Sequence, residues 1–291
     1  MRLDGRRQST NVDDRRGRSG GRRGMAVGGG IAGVIIAIVA AFLGGGDISS
    51  VLSNLLGDGS GLTSSRAQNY TFSAEEEELA EFSKKIFAGT EDVWSEIFRQ
   101  NGMEYEPPKL VIYSGSTTSG CGDADASIGP FYCSADESVY IDLSFFRNMR
   151  SQLGADGDFA YAYVIAHEVG HHVQHLLGTL EETHQRMRGL PQTQANRYSV
   201  ALELQADFYA GVWAYHDNRL FGSLEPGDVE EAIDAAQKIG DDYLQKRAQG
   251  YAVPDSFNHG TSAQRSHWLN QGILTGDPSQ GDTFSYLGLA R

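Results

Sequence analysis

The sequence predicts an α+β fold that is mostly helical, with a small β-sheet or hairpin in its N-terminal part and a single transmembrane helix in front of it. Short strand-like runs at residues 110–113, 131–133 and 138–143 support the sheet. From Phe159 nearly to the end, apolar residues recur with the helical period. Strands followed by a run of helices are typical of the α+β class. A 22-residue stretch without a charge, residues 25–46, supplies the candidate membrane span.

The N-terminal region divides into three segments by composition. Residues 1–24 hold eight arginines, three aspartates and no lysine. This polar, Gly/Ser-rich segment without an apolar period is predicted to be a disordered basic tail. Residues 25–46 are long enough to cross a bilayer, because a spanning helix takes about 20 apolar residues. Residues 47–72 are Gly/Ser-rich and predict a flexible linker to one domain over residues 73–291.

The arginines determine the predicted orientation of the span. Basic residues that flank a membrane helix stay in the cytoplasm, so we expect a single-pass protein of the cell membrane with a cytoplasmic N-terminus and an extracytoplasmic domain. A cleaved signal peptide is the competing interpretation. Its basic region would be unusually long, and no clear small-x-small cleavage site precedes the next charge. An uncleaved anchor is therefore favoured.

The charge outside this basic segment excludes one class of partner. Of the 24 basic and 38 acidic side chains in the whole chain, residues 25–291 carry 16 and 35. No basic stripe remains there to neutralise phosphates. Nucleic acid is therefore not an expected partner of the domain.

The remaining elements follow from local patterns, in chain order. Ser73 is a predicted N-cap of a helix that runs to about Phe87, with glutamates favourable in its first turn. Thr90 is the predicted cap of a second helix. The second and third strand-like runs form a hairpin. Later helices are predicted from residue 145 onward and over residues 159–177, 192–216, 226–248 and 262–271.

Two cysteines, Cys121 and Cys133, are 12 positions apart. In an extracytoplasmic domain the natural expectation is a disulfide bond between them. Closing so short a loop stabilises the folded state by about 2–3 kcal/mol. Ligation of a metal by these cysteines is a poor alternative, because no Cys-x-x-Cys pair is present.

The chemistry of the chain is indicated by a His-Glu-x-x-His pentad inside an apolar helical run. His167 and His171 are four apart, so they lie on one face of a helix and can bind a single cation. Glu168 lies on the neighbouring face, where its carboxylate can take a proton from a water on that cation. The alternative is a surface helix with solvated side chains. The apolar flanks favour a buried helix, in which these polar residues need partners or a metal.

A second helical run offers a third ligand. Glu203 and Asp207 are four apart on one face, and the other faces of that helix are apolar. Glu203 would complete a set of two histidines and one glutamate, which leaves a fourth position open on zinc. Asp207 could accept the second ring N–H of a ligand histidine and fix its tautomer. A Glu/Asp pair on a solvated face is the alternative.

Several sequence blocks resemble the bacterial family of putative neutral zinc metallopeptidases, and the resemblance runs from the basic N-terminus to Phe284. The blocks are Gly129–Cys133, Val139–Leu143, His167–Gln174, Glu203–Asp207 and His259–Arg265. The resemblance implies a zincin-like, membrane-anchored bacterial peptidase domain that binds one Zn²⁺ per chain. The family pattern has a second cysteine pair where this chain has Phe208 and Gly281.

The expected activity is therefore hydrolysis of peptide bonds in a peptide or protein substrate. In this hypothesis Glu168 is the general base, and His259 is a candidate donor to the developing oxyanion. Arg265 is a candidate partner of Asp207. For His259 a capping or solvated role is the alternative, and for Arg265 a surface ion pair. In zincins an edge strand binds the extended substrate, and the run 138–143 is the candidate here; a role in the core alone is the alternative.

A second hypothesis is a membrane-tethered, zinc-containing binding or chaperone-like module without turnover. A closed fourth coordination position would favour it. No extra ligand that would close the site is evident in the sequence, and Glu168 is present. The peptidase is therefore the favoured interpretation.

Overall fold

The computed structural model describes residues 1–17, 72–125 and 128–290. The strands are β1 (Val12–Asp14), β2 (Lys109–Tyr113), β3 (Ser116–Ser119), β4 (Gly122–Asp125), β5 (Phe131–Cys133) and β6 (Ser138–Asp142). The helices are α1 (Ala74–Gln100), α2 (Ser144–Asn148), α3 (Asp158–Leu176), α4 (Thr179–Met187), α5 (Gln192–Phe221), α6 (Asp228–Lys238), α7 (Asp241–Gln249), α8 (Ser262–Thr275) and α9 (Thr283–Tyr286). A π-helical turn, Met149–Leu153, follows α2. This part of the chain is mostly helical with a small sheet, as predicted.

Four strands form one sheet in the order β1-β2-β6-β5, and β3 pairs with β4 separately. β1, β2 and β6 are parallel, whereas β5 is antiparallel to β6. The β5–β6 pair confirms the predicted hairpin. The prediction that residues 138–143 form an edge strand is wrong, because β6 pairs with β2 on its other side and all of its residues are buried. The outer strand at this end of the sheet is β5.

α1 is one continuous helix where the sequence predicts two. Ser73 caps it through a capping box with Glu76, as predicted. Thr90 does not cap a second helix, since its hydroxyl donates to the Phe87 carbonyl oxygen at 2.7 Å within the same helix. The helix passes through Gly89, and a Cβ there would lie 2.6 Å from Nη2 of Arg6. The close approach of Arg6 therefore favours glycine at this position. The buried contacts of α1 outweigh the low helix propensity of Gly89, which costs about 1 kcal/mol.

The predicted helix over residues 226–248 is two helices, α6 and α7, which meet at Gly240. A Cβ at Gly240 would lie 2.4 Å from the backbone nitrogen of Ser262, at the start of α8. The Asp241 N–H donates to the Gly260 carbonyl oxygen at 2.9 Å. Contact with the segment that leads into α8 therefore interrupts the helix at this point.

The first 17 residues form an ordered N-terminal arm, which corrects the prediction of a disordered tail for this part of residues 1–24. β1 pairs with β2 along the arm. Nη2 of Arg6 lies 2.7 Å from Oδ1 of Asp217 in α5; the Asp217 side chain is buried and that of Arg6 is 9% exposed. The composition of this segment does not reveal its acidic partners, because they are remote in the sequence: Asp217 follows Arg6 by 211 positions.

The predicted transmembrane topology is corrected as well. In residues 1–17, 72–125 and 128–290 no helix is long and apolar enough to cross a membrane. The predicted span, residues 25–46, lies outside the described residues, as does the predicted linker apart from Phe72. The guanidinium carbon of Arg16 lies 4.1 Å from the centroid of the Phe72 ring. A single-pass arrangement with a cytoplasmic arm and an extracytoplasmic domain is therefore wrong, because the arm packs on that domain.

The predicted disulfide between Cys121 and Cys133 is present and joins the end of β5 to the turn before β4.

The positions of the second cysteine pair implied by the family resemblance are also in contact. A Cβ at Gly281 would lie 2.5 Å from Cδ1 of Phe208. The aromatic ring therefore fills the space that the missing crosslink leaves.

Candidate metal centre

Two helices bring the three predicted ligands together. His167 and His171 lie one turn apart on α3, and Glu203 comes from α5. Nε2 of His167 lies 3.2 Å from Oε2 of Glu203, and Nε2 of His171 lies 3.4 Å from Oε1. The helices approach closely at Gly170, where a Cβ would lie 2.9 Å from the Ala206 carbonyl oxygen. Glycine inside the pentad thus allows α5 to present its carboxylate to the two imidazoles.

The donor set and its spacing fit a zinc ion. One nitrogen from each of His167 and His171 and one oxygen from Glu203 lie within 4.8 Å of one another. Zinc ligands lie about 2.1 Å from the ion, and at tetrahedral angles they are about 3.4 Å apart. The observed separations of 3.2 and 3.4 Å match this geometry. Two imidazoles and one carboxylate are also the ligands of many catalytic zinc sites, which keep a fourth position open.

Asp207 anchors the first histidine. Its Oδ1 lies 2.8 Å from Nδ1 of His167, which directs Nε2 of the ring towards Glu203. The same carboxylate accepts from Tyr163 at 2.6 Å and from Nε and Nη2 of Arg265, each at 2.9 Å. Burial opposes the charge on Asp207, yet Arg265 and His167 keep its pKa below the ordinary value. The structure therefore places the predicted pair of Asp207 and Arg265 directly behind the ligand.

The second histidine is held by amides. Nδ1 of His171 lies 2.9 Å from Oε1 of Gln174, so the ring donates to the amide oxygen. Nε2 of Gln174 in turn donates to the Leu202 carbonyl oxygen at 2.7 Å and to Oε1 of Gln205 at 3.2 Å. Sequence reasoning missed these glutamines. Gln174 follows His171 by three positions and so shares its face, which is the signal that could have found it.

The electrostatics of the cluster suit a cation. Burial disfavours a charged imidazole, but Asp207 and Glu203 raise the pKa of His167 to about 10. Burial likewise opposes the charge on Glu203, and the two histidines hold its pKa well below the ordinary value. Burial raises the pKa of Glu168. Glu168 lines the same cleft as the three ligands without belonging to the cluster.

His259 also lines the cleft. Its Nδ1 lies 3.0 Å from Oδ1 of Asp241, the first residue of α7. Oδ2 of Asp241 accepts the backbone N–H groups of Asn258, His259 and Gly260 at 2.7–3.0 Å. Burial lowers the pKa of His259, but the hydrogen bond and charge of Asp241 outweigh it and the net shift is upward. Asp241 was missed in the sequence, because nothing local links it to a residue 18 positions away.

The neighbouring histidines are engaged elsewhere. Nε2 of His172 donates to the Glu106 carbonyl oxygen at 2.7 Å, so its Nδ1 accepts the Tyr132 hydroxyl at 2.9 Å. Burial lowers the pKa of His172 to about 4. His175 pairs with Glu181. These contacts agree with a ligand set that excludes both histidines.

A cleft of about 190 Å³ opens over the cluster. β5 and the loop before it line the cleft through Ile128, Phe131 and Tyr132, and residues of α3, α4 and α5 line it as well. β5 is an edge strand, so its outer backbone groups do not pair with another strand of the sheet. A buried His-His-Glu cluster beneath an open cleft, with a carboxylate beside it, defines a candidate zinc hydrolase site.

Comparison with known proteins agrees with this class of site. The family model described as "Putative neutral zinc metallopeptidase" matches residues 1–284. The chain belongs to this family. No solved structure matches the chain.

Two bacterial relatives show how far the similarity extends. The uncharacterized protein YpfJ of Escherichia coli strain K12 is 48% identical over 290 residues, which are 98% of this chain and 99% of that protein. The uncharacterized protein Rv2575 of Mycobacterium tuberculosis strain H37Rv is 42% identical over 191 residues, 62% of this chain and 64% of that protein.

Proposed function

We propose that the chain is a zinc-dependent peptidase in which His167, His171 and Glu203 hold one Zn²⁺ and Glu168 is the general base. The observation that carries the proposal is the convergence of three ligand atoms from α3 and α5 beneath a cleft that Glu168 also lines. Membership of a zinc metallopeptidase family supports it.

When bound, Zn²⁺ lowers the pKa of a water molecule towards ~7 and polarises the carbonyl of the scissile bond. Glu168 takes a proton from the attacking water and delivers it to the leaving amine. The adjacent position of Glu168 on α3 keeps this carboxylate next to the ligands without making it one. Asp207 and Gln174 fix the two ligand rings through their Nδ1 atoms.

His259 supplies the second stabilising group in this proposal. Asp241 holds its Nδ1, so Nε2 is the ring nitrogen that remains for the substrate oxygen as negative charge develops. The upward pKa shift of His259 favours the form that donates from both nitrogens. Asp241 is then a positioning residue, since it acts through the ring.

An extended peptide can bind along β5. β5 is the outer strand of the sheet and its residues Phe131 and Tyr132 line the cleft, and strand addition offers main-chain hydrogen bonds independently of the substrate's side chains. The disulfide holds Cys133 at the end of β5, and the Tyr132 hydroxyl contacts His172 of α3. Both contacts keep the edge at a fixed position over the metal centre.

The test combines metal analysis with digestion of a peptide library by the wild type, Glu168→Gln and the matched control Glu182→Gln. Glu182 lies on α4, and its side chain is 58% exposed. We expect about one zinc per chain in all three proteins. Cleavage should occur with the wild type and the control and fall by ~10²–10⁴-fold in Glu168→Gln, the usual contribution of a general base. Zinc retention without cleavage by the wild type would instead indicate a binding module.

A further inference from the structure

Two separate groups of apolar side chains line the cleft, and they belong to different hydrophobic clusters. One group, which we call the inner wall, consists of Phe145, Leu153, Val164, Ile239 and Leu244. All five belong to the main hydrophobic core or pack against it. In the other group, Leu180 and Leu202 belong to a different cluster near α9. A substrate bound in the cleft therefore meets two apolar surfaces.

The inner wall lies next to the reacting groups. Val164 precedes His167 by three positions, so it shares the ligand face of α3 one turn earlier. Ile239 and Leu244 come from the segment around Gly240, the same segment whose Asp241 holds His259. The inner wall thus includes residues of α3, which carries His167, and of the segment around Gly240, which holds His259 through Asp241. A side chain bound there belongs to a residue that flanks the scissile bond.

None of the five inner-wall side chains carries a charge, and in the proposed mechanism Glu168 and His259 act on the water and on the substrate oxygen. Arg265 lines the cleft close to Ile239, with Nη1 3.5 Å from the Ile239 carbonyl oxygen. Its Nε and Nη2 are committed to Asp207 at 2.9 Å, and Nη2 also donates to Tyr163 at 3.2 Å. Its charge is therefore already paired. A carboxylate or ammonium placed against the wall would lose its hydration without gaining a partner.

The volume sets the size of the group that fits. The whole cleft measures about 190 Å³, and an apolar cavity of about 150 Å³ holds a benzene ring. A leucine or phenylalanine side chain of the substrate can therefore pack against the inner wall while the substrate backbone runs along β5. An alanine would leave most of the wall without contacts.

We propose that the preferred substrates carry an apolar side chain of leucine or phenylalanine size at one position flanking the scissile bond, and that the inner wall binds it. This inference rests on the proposed peptidase function. Ile239 is the specificity-determining residue best suited to a test. It is only partly buried and lies at the C-terminal end of α6, so substitution there disturbs the core least.

The test uses one extended peptide with alanine, leucine, phenylalanine, aspartate or lysine at each position next to the cleaved bond. With the zinc-loaded wild type, we expect kcat/KM for leucine or phenylalanine to exceed that for alanine by at least about tenfold at one of the two positions. Aspartate and lysine there should be poorer than leucine by a similar factor. Equal rates for all five peptides at both positions would overturn the inference while leaving the peptidase intact.

Two variants then assign the preference to the inner wall. Ile239→Trp fills the pocket and should reduce the ratio of leucine to alanine turnover by at least about fivefold, whereas Ile239→Ala should shift the optimum from leucine towards phenylalanine. Leu274→Ala is the matched control, since Leu274 on α8 is 66% exposed and does not line the cleft. Circular dichroism and zinc content verify folding. An unchanged preference in both folded Ile239 variants contradicts the assignment.

A binding measurement separates this inference from the proposed activity. The same peptides, labelled with a fluorophore, are titrated into zinc-loaded Glu168→Gln and followed by anisotropy. Tighter binding of the leucine and phenylalanine peptides, lost in the Glu168→Gln/Ile239→Trp double variant, supports the pocket even if the wild type cleaves none of them. Equal affinity for all five peptides overturns it.

Discussion

Replacing Asp207 by alanine tests the network that supports the metal centre from behind. Asp207 is fully buried and is the acceptor for His167, Tyr163 and two of the three guanidinium nitrogens of Arg265, Nε and Nη2. Its removal leaves the Arg265 guanidinium, which is 3% exposed, without its counter-charge. Breaking a buried pair from one side costs about 3–5 kcal/mol. Because a domain is stable by only about 5–15 kcal/mol, this is a large fraction of the total.

The same substitution should weaken the metal site. Without Asp207 the tautomer and direction of the His167 ring are no longer fixed, and loss of such a supporting contact typically lowers metal affinity by about 10–100-fold. The effect on stability and the effect on affinity have different origins. They are therefore measured separately, by urea unfolding of the zinc-free protein and by competition with a chelator for zinc.

Two further variants show whether the loss of stability comes from the buried pair of Asp207 and Arg265. Asp234→Ala is the matched control, because Asp234 is 46% exposed and forms an i,i+4 pair with Lys238, so its removal should cost at most about 1 kcal/mol. In the double variant Asp207→Ala/Arg265→Met both charges are gone, and its loss of stability should be smaller than the sum of the single losses by several kcal/mol. A change below about 1 kcal/mol in Asp207→Ala, or additive losses, would refute the reasoning.

Two other predictions concern the N-terminal arm and the pH dependence. Arg6→Ala should destabilise the protein by about 3–5 kcal/mol, since it leaves the charge of the buried Asp217 without its arginine partner. Arg2→Ala should cost at most about 1 kcal/mol, because that side chain is 67% exposed. Urea unfolding compares the two variants, and equal losses of stability would contradict the assigned role of the arm. Peptidase activity should fall as pH rises through the raised pKa of His259, and Asp241→Asn should move this alkaline limb to lower pH because it removes the charge that holds the proton. A limb that stays in place in the kcat/KM profile of folded Asp241→Asn would exclude His259 as its origin.

The spacing of residues within one helix made the proposed ligands recognisable in the sequence. Residues four apart share a helix face, so the pairs on α3 and α5 could be recognised without knowing how the helices pack. Partners that meet only through packing could not be recognised. Asp241 at the start of α7 meets His259 in the segment before α8, and Arg6 approaches Gly89 in the middle of α1.

The N-terminal region and the sheet show the same limit. An arginine-rich segment without an apolar period is typical of disorder, and the arm is ordered by remote acidic residues and by the pairing of β1 with β2. The central position of β6 depends on its pairing with β2, which lies earlier in the chain, before three other strands. The order of strands in a sheet depends on pairing between distant segments. The β5–β6 hairpin could therefore be predicted from the sequence, but which of its two strands lies at the edge of the sheet could not.

Anomalous diffraction at the zinc absorption edge, from crystals of the zinc-loaded protein, tests the central claim most directly. The account predicts one strong peak about 2.0–2.2 Å from Nε2 of His167, Nε2 of His171 and a carboxylate oxygen of Glu203. A solvent oxygen should occupy the fourth position and contact Glu168. A peak at any other cluster of side chains, or a fourth protein ligand that closes the site, would contradict it.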